Sequence, residues 1–176
     1  MRRGRGELAA PLVCAIRLTG VELTHVDASG AARMVDVSAK QISVREATAS
    51  GVFRTTAEVI ELLRADNLPK GDALAVARIA GIAAAKRTPD LIPLCHPVAI
   101  HGVTVELELG ADSVSITATV RTADRTGVEM EALTSVTTAG LALYDMVKAV
   151  DRAAVLTDIQ LEHKAGGRRG EWGRTP

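Results

Sequence analysis

Cys95 and His96 stand side by side in the stretch DLIPLCHPVAI, residues 90–100, and Pro93 and Pro97 bracket them. A thiol beside an imidazole could be an activated nucleophile, part of a metal site or a redox switch. Neighbouring side chains in an extended segment project to opposite sides, and Pro97 biases His96 toward extended backbone. A local Cys–His dyad is therefore disfavoured. His25, His101 and His163 show none of the usual zinc-ligand spacing, so no metal site is expected. What remains for His96 is a positioned acid, base or anion ligand, or a satisfied structural histidine.

Other charged residues add to this. Lys70, in KGD, stands where a helix is expected to begin, so a point charge would join free backbone N–H groups that suit a phosphate. The bland alternative is a solvated lysine. Glu129 and Glu131 open a long helix in TGVEMEALT, where the helix dipole alone would favour carboxylates. Asp145 and Lys148, at i,i+3 in LYDMVKAVD, share one helix face among Leu141, Leu143, Met146, Val147 and Val150. Such spacing ordinarily gives a surface ion pair. With limited water access it would be an acid/base couple, because desolvation and nearby cations lower a lysine pKa. His163-Lys164-Ala165-Gly166-Gly167-Arg168-Arg169 offers glycine N–H groups and cations to an anion, without being a Walker loop, or else is a frayed tail. These groups together point to a multiply charged anionic substrate and proton transfer, with no metal ligands or cofactor motif.

The rest of the chain must position them. Lys plus Arg (21) equals Asp plus Glu (21), so no global field draws nucleic acid or an anionic membrane. Only one Phe, one Tyr and one Trp occur among 47% hydrophobic residues, so Ala, Val, Leu and Ile must build the core. Small aliphatic side chains suit closely packed helices or a buried subunit interface. Two cysteines, Cys14 and Cys95, make no disulfide framework, which favours a reducing compartment and a cytoplasmic location. No run approaches the roughly 20 apolar residues of a membrane span. The opening MRRGRGELAAPLVCAI loosely imitates a signal peptide, but Pro11 interrupts its apolar run and no A-x-A site follows. Residues 1–22 are expected to be a poorly ordered extension, 23–165 a single catalytic domain, and 166–176 a flexible basic tail.

Residues 33–54 predict one or two strands. Thr55 and Glu58 then predict a capping box for a helix through TAEVIELLRAD. DALAVARIAGIAAAKR is apolar around most of its circumference and reads as a buried helix. Gly81 inside it requires something packed close. Residues 98–109 and 113–123 predict a hairpin about Gly110-Ala111-Asp112, with Val114, Ile116, Ala118 and Val120 on its buried face. A long helix follows from Gly127 to about Val150. A last strand has Val155, Thr157, Ile159 and Leu161 on one face. Strand, helix, hairpin, helix, strand is the order of an α+β, ferredoxin-like fold, an antiparallel sheet with helices packed on one face.

HVDASGAARMVDVSAK, KGDALAVARIAGIAAAKRTPDLIPLCHP, TGVEMEALTSVTTAGLALYDMVKAVD and HKAGGRRG closely resemble the cyclic pyranopterin monophosphate synthase family of molybdenum-cofactor biosynthesis (accessory protein C), over about residues 23–170. The resemblance implies a lyase that converts 3′,8-cyclo-7,8-dihydro-GTP to cyclic pyranopterin monophosphate and releases pyrophosphate. It also implies a homohexamer, a trimer of dimers with active sites at the dimer interface. Lys70 would be the principal general acid/base, with Asp145 and Lys148 assisting. His96 and Cys95 would line the pocket, Arg45 and Lys164 would hold the triphosphate, and Glu129 and Glu131 would contact the base or position the lysines. No prosthetic group is implied, and Mg²⁺ with the substrate phosphates is left open. Val147 stands where many members carry Cys, a difference expected to concern packing. The alternatives are a nucleotide-binding regulatory module without turnover, which the fold alone allows, and thiol chemistry at Cys95.

Overall fold

A computed structural model describes His25, residues 29–168 and residues 170–175. The extension expected at residues 1–22 lies outside the described residues. The chain divides into two compact units, Met1–Arg33 and Met34–Pro176. In the first, the Arg33 N–H donates to the His25 carbonyl at 2.9 Å. All that follows concerns the second.

The elements run β1 (Ser43–Arg54), α1 (Ala57–Arg64), α2 (Ala73–Ala85), α3 (Thr88–Leu91), β2 (Ile100–Leu109), β3 (Ser113–Asp124), α4 (Glu129–Val147), β4 (Val155–Ala165) and β5 (Trp172–Gly173). They form a five-stranded sheet in the order β2-β3-β1-β4-β5 with every neighbouring pair antiparallel. The first four strands have the expected ferredoxin-like arrangement. β5 lies within the stretch read as a tail. Among the described residues no helix is long and apolar enough to cross a membrane.

Alternation builds the core. Ala47, Ala49 and Phe53 of β1 and Val114, Ile116, Ala118 and Val120 of β3 are buried on one face. Against them α4 lays a stripe of Ala132, Val136, Ala139, Leu143 and Val147, a helical period. Small side chains on both surfaces bring helix and sheet close. Gly81 performs the same service between α2 and α4: a Cβ there would lie 3.0 Å from the Ser135 carbonyl oxygen and 3.1 Å from its Oγ. The expected close packing is present.

Several local expectations are corrected. The cap of α1 is Thr56, whose Oγ1 accepts the Val59 N–H, while Thr55 donates to Asp151 Oδ2 at 2.8 Å. The helix α2 is buried on one face only; Val76 and Ile79 are exposed. Pro93 is not part of a purely extended segment, because the Cys95 N–H bonds to the Ile92 carbonyl and places Pro93 second in a tight turn, a position its fixed φ favours. In β4, Asp158 takes a positive φ of 53° and the register shifts nearby. The irregularity breaks the simple alternation, so Leu156 and Leu161 pack on the core while Val155 is exposed.

Candidate functional site

Eight of the nine residues singled out by sequence collect into two groups, set by the two ends of α4; His96 turns away from both. Glu129 and Asp145 lie sixteen residues apart on that helix, about 24 Å of axis at 1.5 Å per residue. A single chain does not bring the groups together.

The first group stands at the C-terminal end of α4. Lys70, in the turn before α2, donates from Nζ to Asp145 Oδ2 at 2.8 Å and to the Asp145 carbonyl at 2.7 Å. Lys148, the C-cap of α4, places its own Nζ 2.6 Å from Asp145 Oδ1. Hydrogen bonds from Lys148 and then Lys70 pull the Asp145 carboxyl down to about 2. The same contact pushes Lys148 up. In the single chain Asp145 and Lys148 form the surface ion pair that their spacing ordinarily gives, and the lowered lysine pKa of the water-excluded alternative is not present. Limited water access is also absent in the single chain, where the side chains of Lys70, Asp145 and Lys148 are 41%, 58% and 50% exposed. The proposed anion site at the start of α2 is corrected as well: Asp72 Oδ1 caps the helix through the Ala75 N–H at 2.9 Å. A carboxylate already occupies the position a phosphate would take.

The second group lies at the N-terminal end of α4. Lys164, near the end of β4, donates to Glu129 Oε1 at 2.9 Å. Arg45, on neighbouring β1, donates from Nε to the Asp124 carbonyl at 2.9 Å and from Nη2 to the Arg125 carbonyl at 3.1 Å. Two backbone acceptors thus hold the guanidinium in place. Burial raises the Glu129 pKa, but the Lys164 hydrogen bond, the residue's own N–H and the charges of Lys164 and Arg45 outweigh it, and the group sits below the usual range. Glu131, only 3% exposed, has no cationic partner among the described residues and only its own N–H to hold its pKa down. Burial, reinforced by the charge of Glu129, pushes its pKa up to about 7. A carboxyl in that range can give or take a proton at neutral pH.

Cys95 belongs to this end too. Burial and the charge of Glu131 raise its thiol pKa, which opposes a thiolate nucleophile. His96 points elsewhere, with Nε2 2.7 Å from the Val35 carbonyl. A carbonyl can only accept, so Nε2 donates a proton to it. The two adjacent side chains diverge as expected.

Asp36 was missed by sequence reasoning. Its Oδ1 accepts the Ser38 N–H at 2.8 Å, which lowers its pKa, and it carries a charge next to His96. The D-x-S spacing of an Asx turn was legible there, but only the fold puts it beside the histidine.

The chain is similar to known proteins along most of its length. The MoaC family model matches residues 34–167. Curated relatives include the cyclic pyranopterin monophosphate synthase of Streptomyces coelicolor, 61% identical over 87% of this chain and 90% of that protein. The synthase of a Nocardioides species is 63% identical over 86% of this chain and 95% of its own length. Cyclic pyranopterin monophosphate synthase 2 of Mycobacterium tuberculosis is 59% identical over 87% and 92% respectively. The match spans both ends of α4 and every strand except β5, and the chain belongs to the MoaC family.

Proposed function

We propose that this chain is a cyclic pyranopterin monophosphate synthase, a lyase that acts on 3′,8-cyclo-7,8-dihydro-GTP and releases pyrophosphate in molybdenum-cofactor biosynthesis. The observation that carries the mechanism is the division of the charged residues. One end of α4 bears an ammonium–carboxylate–ammonium chain suited to proton transfer. The other bears cations and a glycine loop suited to a polyphosphate.

Each end has a distinct task. Asp145, with its pKa near 2, stays ionised through the working range and fixes the two ammonium groups rather than carrying the proton. Lys70 is then the principal acid/base and Lys148 its neighbour. Arg45 and Lys164 offset charge developing on the pyrophosphate leaving group. Cys95 and Glu129 line the same end, while His96, next to Cys95 in the chain, holds its ring on the Val35 carbonyl. Glu131, read from sequence as a substrate contact, has a pKa that suits proton exchange with the ring system.

A substrate cannot span about 24 Å of helix, so a working site takes one end from each of two copies. Covering Lys70, Asp145 and Lys148 with a second subunit would also supply the water exclusion that the lone chain lacks. The exposed Val76 and Ile79 of α2 favour such an assembly, and a trimer of dimers is the form proposed. The enzyme works in the cytoplasm and needs no prosthetic group; any Mg²⁺ enters with the substrate phosphates.

The test is anaerobic turnover of freshly prepared cyclised dihydro-GTP, read as pyrophosphate and as the fluorescent pterin formed on oxidising the product. Both signals are expected, and Lys70→Ala should lose both while remaining folded. Tight binding without either signal would instead identify a non-catalytic nucleotide-binding module.

A further inference from the structure

We infer that β5 is a positioning strap that holds the glycine loop and Lys164 in place for the substrate's phosphates. This role rests on the assignment of Arg45 and Lys164 as the phosphate cations. Lys164 pairs with Trp172 and His163 with Gly173 in the β4–β5 ladder. His163 Nε2 lies 2.9 Å from Glu171 Oε1. Arg174 donates from its backbone N–H to the Glu162 carbonyl at 2.8 Å and from Nε to the Leu161 carbonyl at 2.9 Å. Its guanidinium lies 6.0 Å from the centre of the Trp172 ring. Residues 171–174 are thus each tied to β4 or its neighbouring turn.

Core burial does not explain these ties, because Trp172 remains 42% exposed. The connection they close does. Gly166 and Gly167 both have positive φ, 93° and 72°. A Cβ on Gly166 would collide with the Val44 carbonyl oxygen, and one on Gly167 with Arg45 Nη1. The Gly170 N–H bonds back to the Gly167 carbonyl at 3.2 Å. Gly166 and Gly167 therefore rest on Val44 and Arg45, and beyond Gly170 the chain is drawn back to β4 by β5. Lys164, whose Nζ meets Glu129, is the residue paired with Trp172. Anchoring both ends of the loop removes conformations that a substrate would otherwise have to freeze out.

The consequence is a separation of kinetic effects. Removing β5 leaves every proposed chemical group present, and none of these ties runs to Lys70, Asp145 or Lys148. Stopping the chain after Gly170, or replacing Arg174→Ala, should raise KM roughly tenfold and leave kcat within about twofold. Trp172→Phe keeps an aromatic ring and should stay close to wild type. An unchanged KM in the shortened chain and in Arg174→Ala, while Arg45→Ala raises it, would overturn the strap. So would a loss of kcat at constant KM. If Arg45→Ala and Lys164→Ala also leave KM unchanged, the phosphate assignment itself fails and the strap falls with it. Intact protein gives a second measurement, because Trp172 is the only tryptophan. Titration with inorganic triphosphate should change its fluorescence saturably, and Arg45→Ala should abolish the change. No change at concentrations that competitively inhibit turnover would overturn the proposal.

Discussion

Glu131→Gln isolates the energetic cost of a buried carboxyl at the candidate site. Glu131 is 3% exposed and its pKa rises from 4.5 to about 7, by burial first and the charge of Glu129 second. A group whose folded pKa is raised favours the folded state fully below its unfolded pKa and loses that advantage as pH climbs through the folded one. The window therefore opens near 4.5 and closes just above 7. At 1.36 kcal/mol per pKa unit, the wild type should lose roughly 3 kcal/mol of stability across it. Glutamine is neutral throughout and lacks this loss. Urea unfolding followed by far-UV circular dichroism, at one fixed protein concentration because assembly contributes to stability, reads both proteins at about pH 5 and about pH 8. The wild type should fall relative to Glu131→Gln by an amount of that order. Parallel pH profiles for the two proteins would refute the burial argument.

Three further outcomes follow from the same geometry. Asp145→Asn removes the carboxylate shared by both lysines, so kcat should drop on the order of 10²-fold or more. Lys148, held up by Asp145, should then titrate lower, which the alkaline limb of the pH–rate profile reads. Gly81→Val would press side-chain atoms against the Ser135 carbonyl and Val105, and should destabilise by about 1–3 kcal/mol in thermal or chemical denaturation. Cys95, with its thiol pKa raised by burial and Glu131, should react with iodoacetamide more slowly than a free thiol at neutral pH, and substrate should slow it further.

The sheet was legible because its strands alternate cleanly. Val114, Ile116, Ala118 and Val120 gave the buried face of β3 directly, and the hairpin and long helix fixed the connection order. β4 was harder, since the aspartate in LTDIQ tolerates a left-handed φ but does not require the one at Asp158 that breaks its period. The short β5 was invisible because two residues carry no periodicity, and Glu171 and Arg174, which add ties to β4, lie outside the ladder. α3 carried a usable signal, Pro89 in the first turn, but four residues fall below what pattern can resolve.

Site residues were recognisable as types, while their grouping was not. Lys148 and Asp145 meet through i,i+3 spacing, but Lys70 reaches Asp145 from seventy-five residues away. The apolar neighbours of LYDMVKAVD suggested a dry pair; Leu143, Met146 and Val147 instead turn to the core and leave Asp145 and Lys148 facing out. A residue's helix face decides its hydration, and one helix has both kinds.

The central claim is that one working site joins the Lys70 end of one copy to the Lys164 end of another. Mixing subunits tests it most directly. Lys70→Ala and Lys164→Ala proteins, each inactive or severely impaired alone, are dissociated together and reassembled, and turnover of cyclised dihydro-GTP is measured. Random pairing makes half the dimers mixed, each with one intact site, so about a quarter of wild-type activity should return. If both ends served within one chain, every site would keep a defect. No recovery in a mixture shown to contain mixed dimers would contradict the two-copy site.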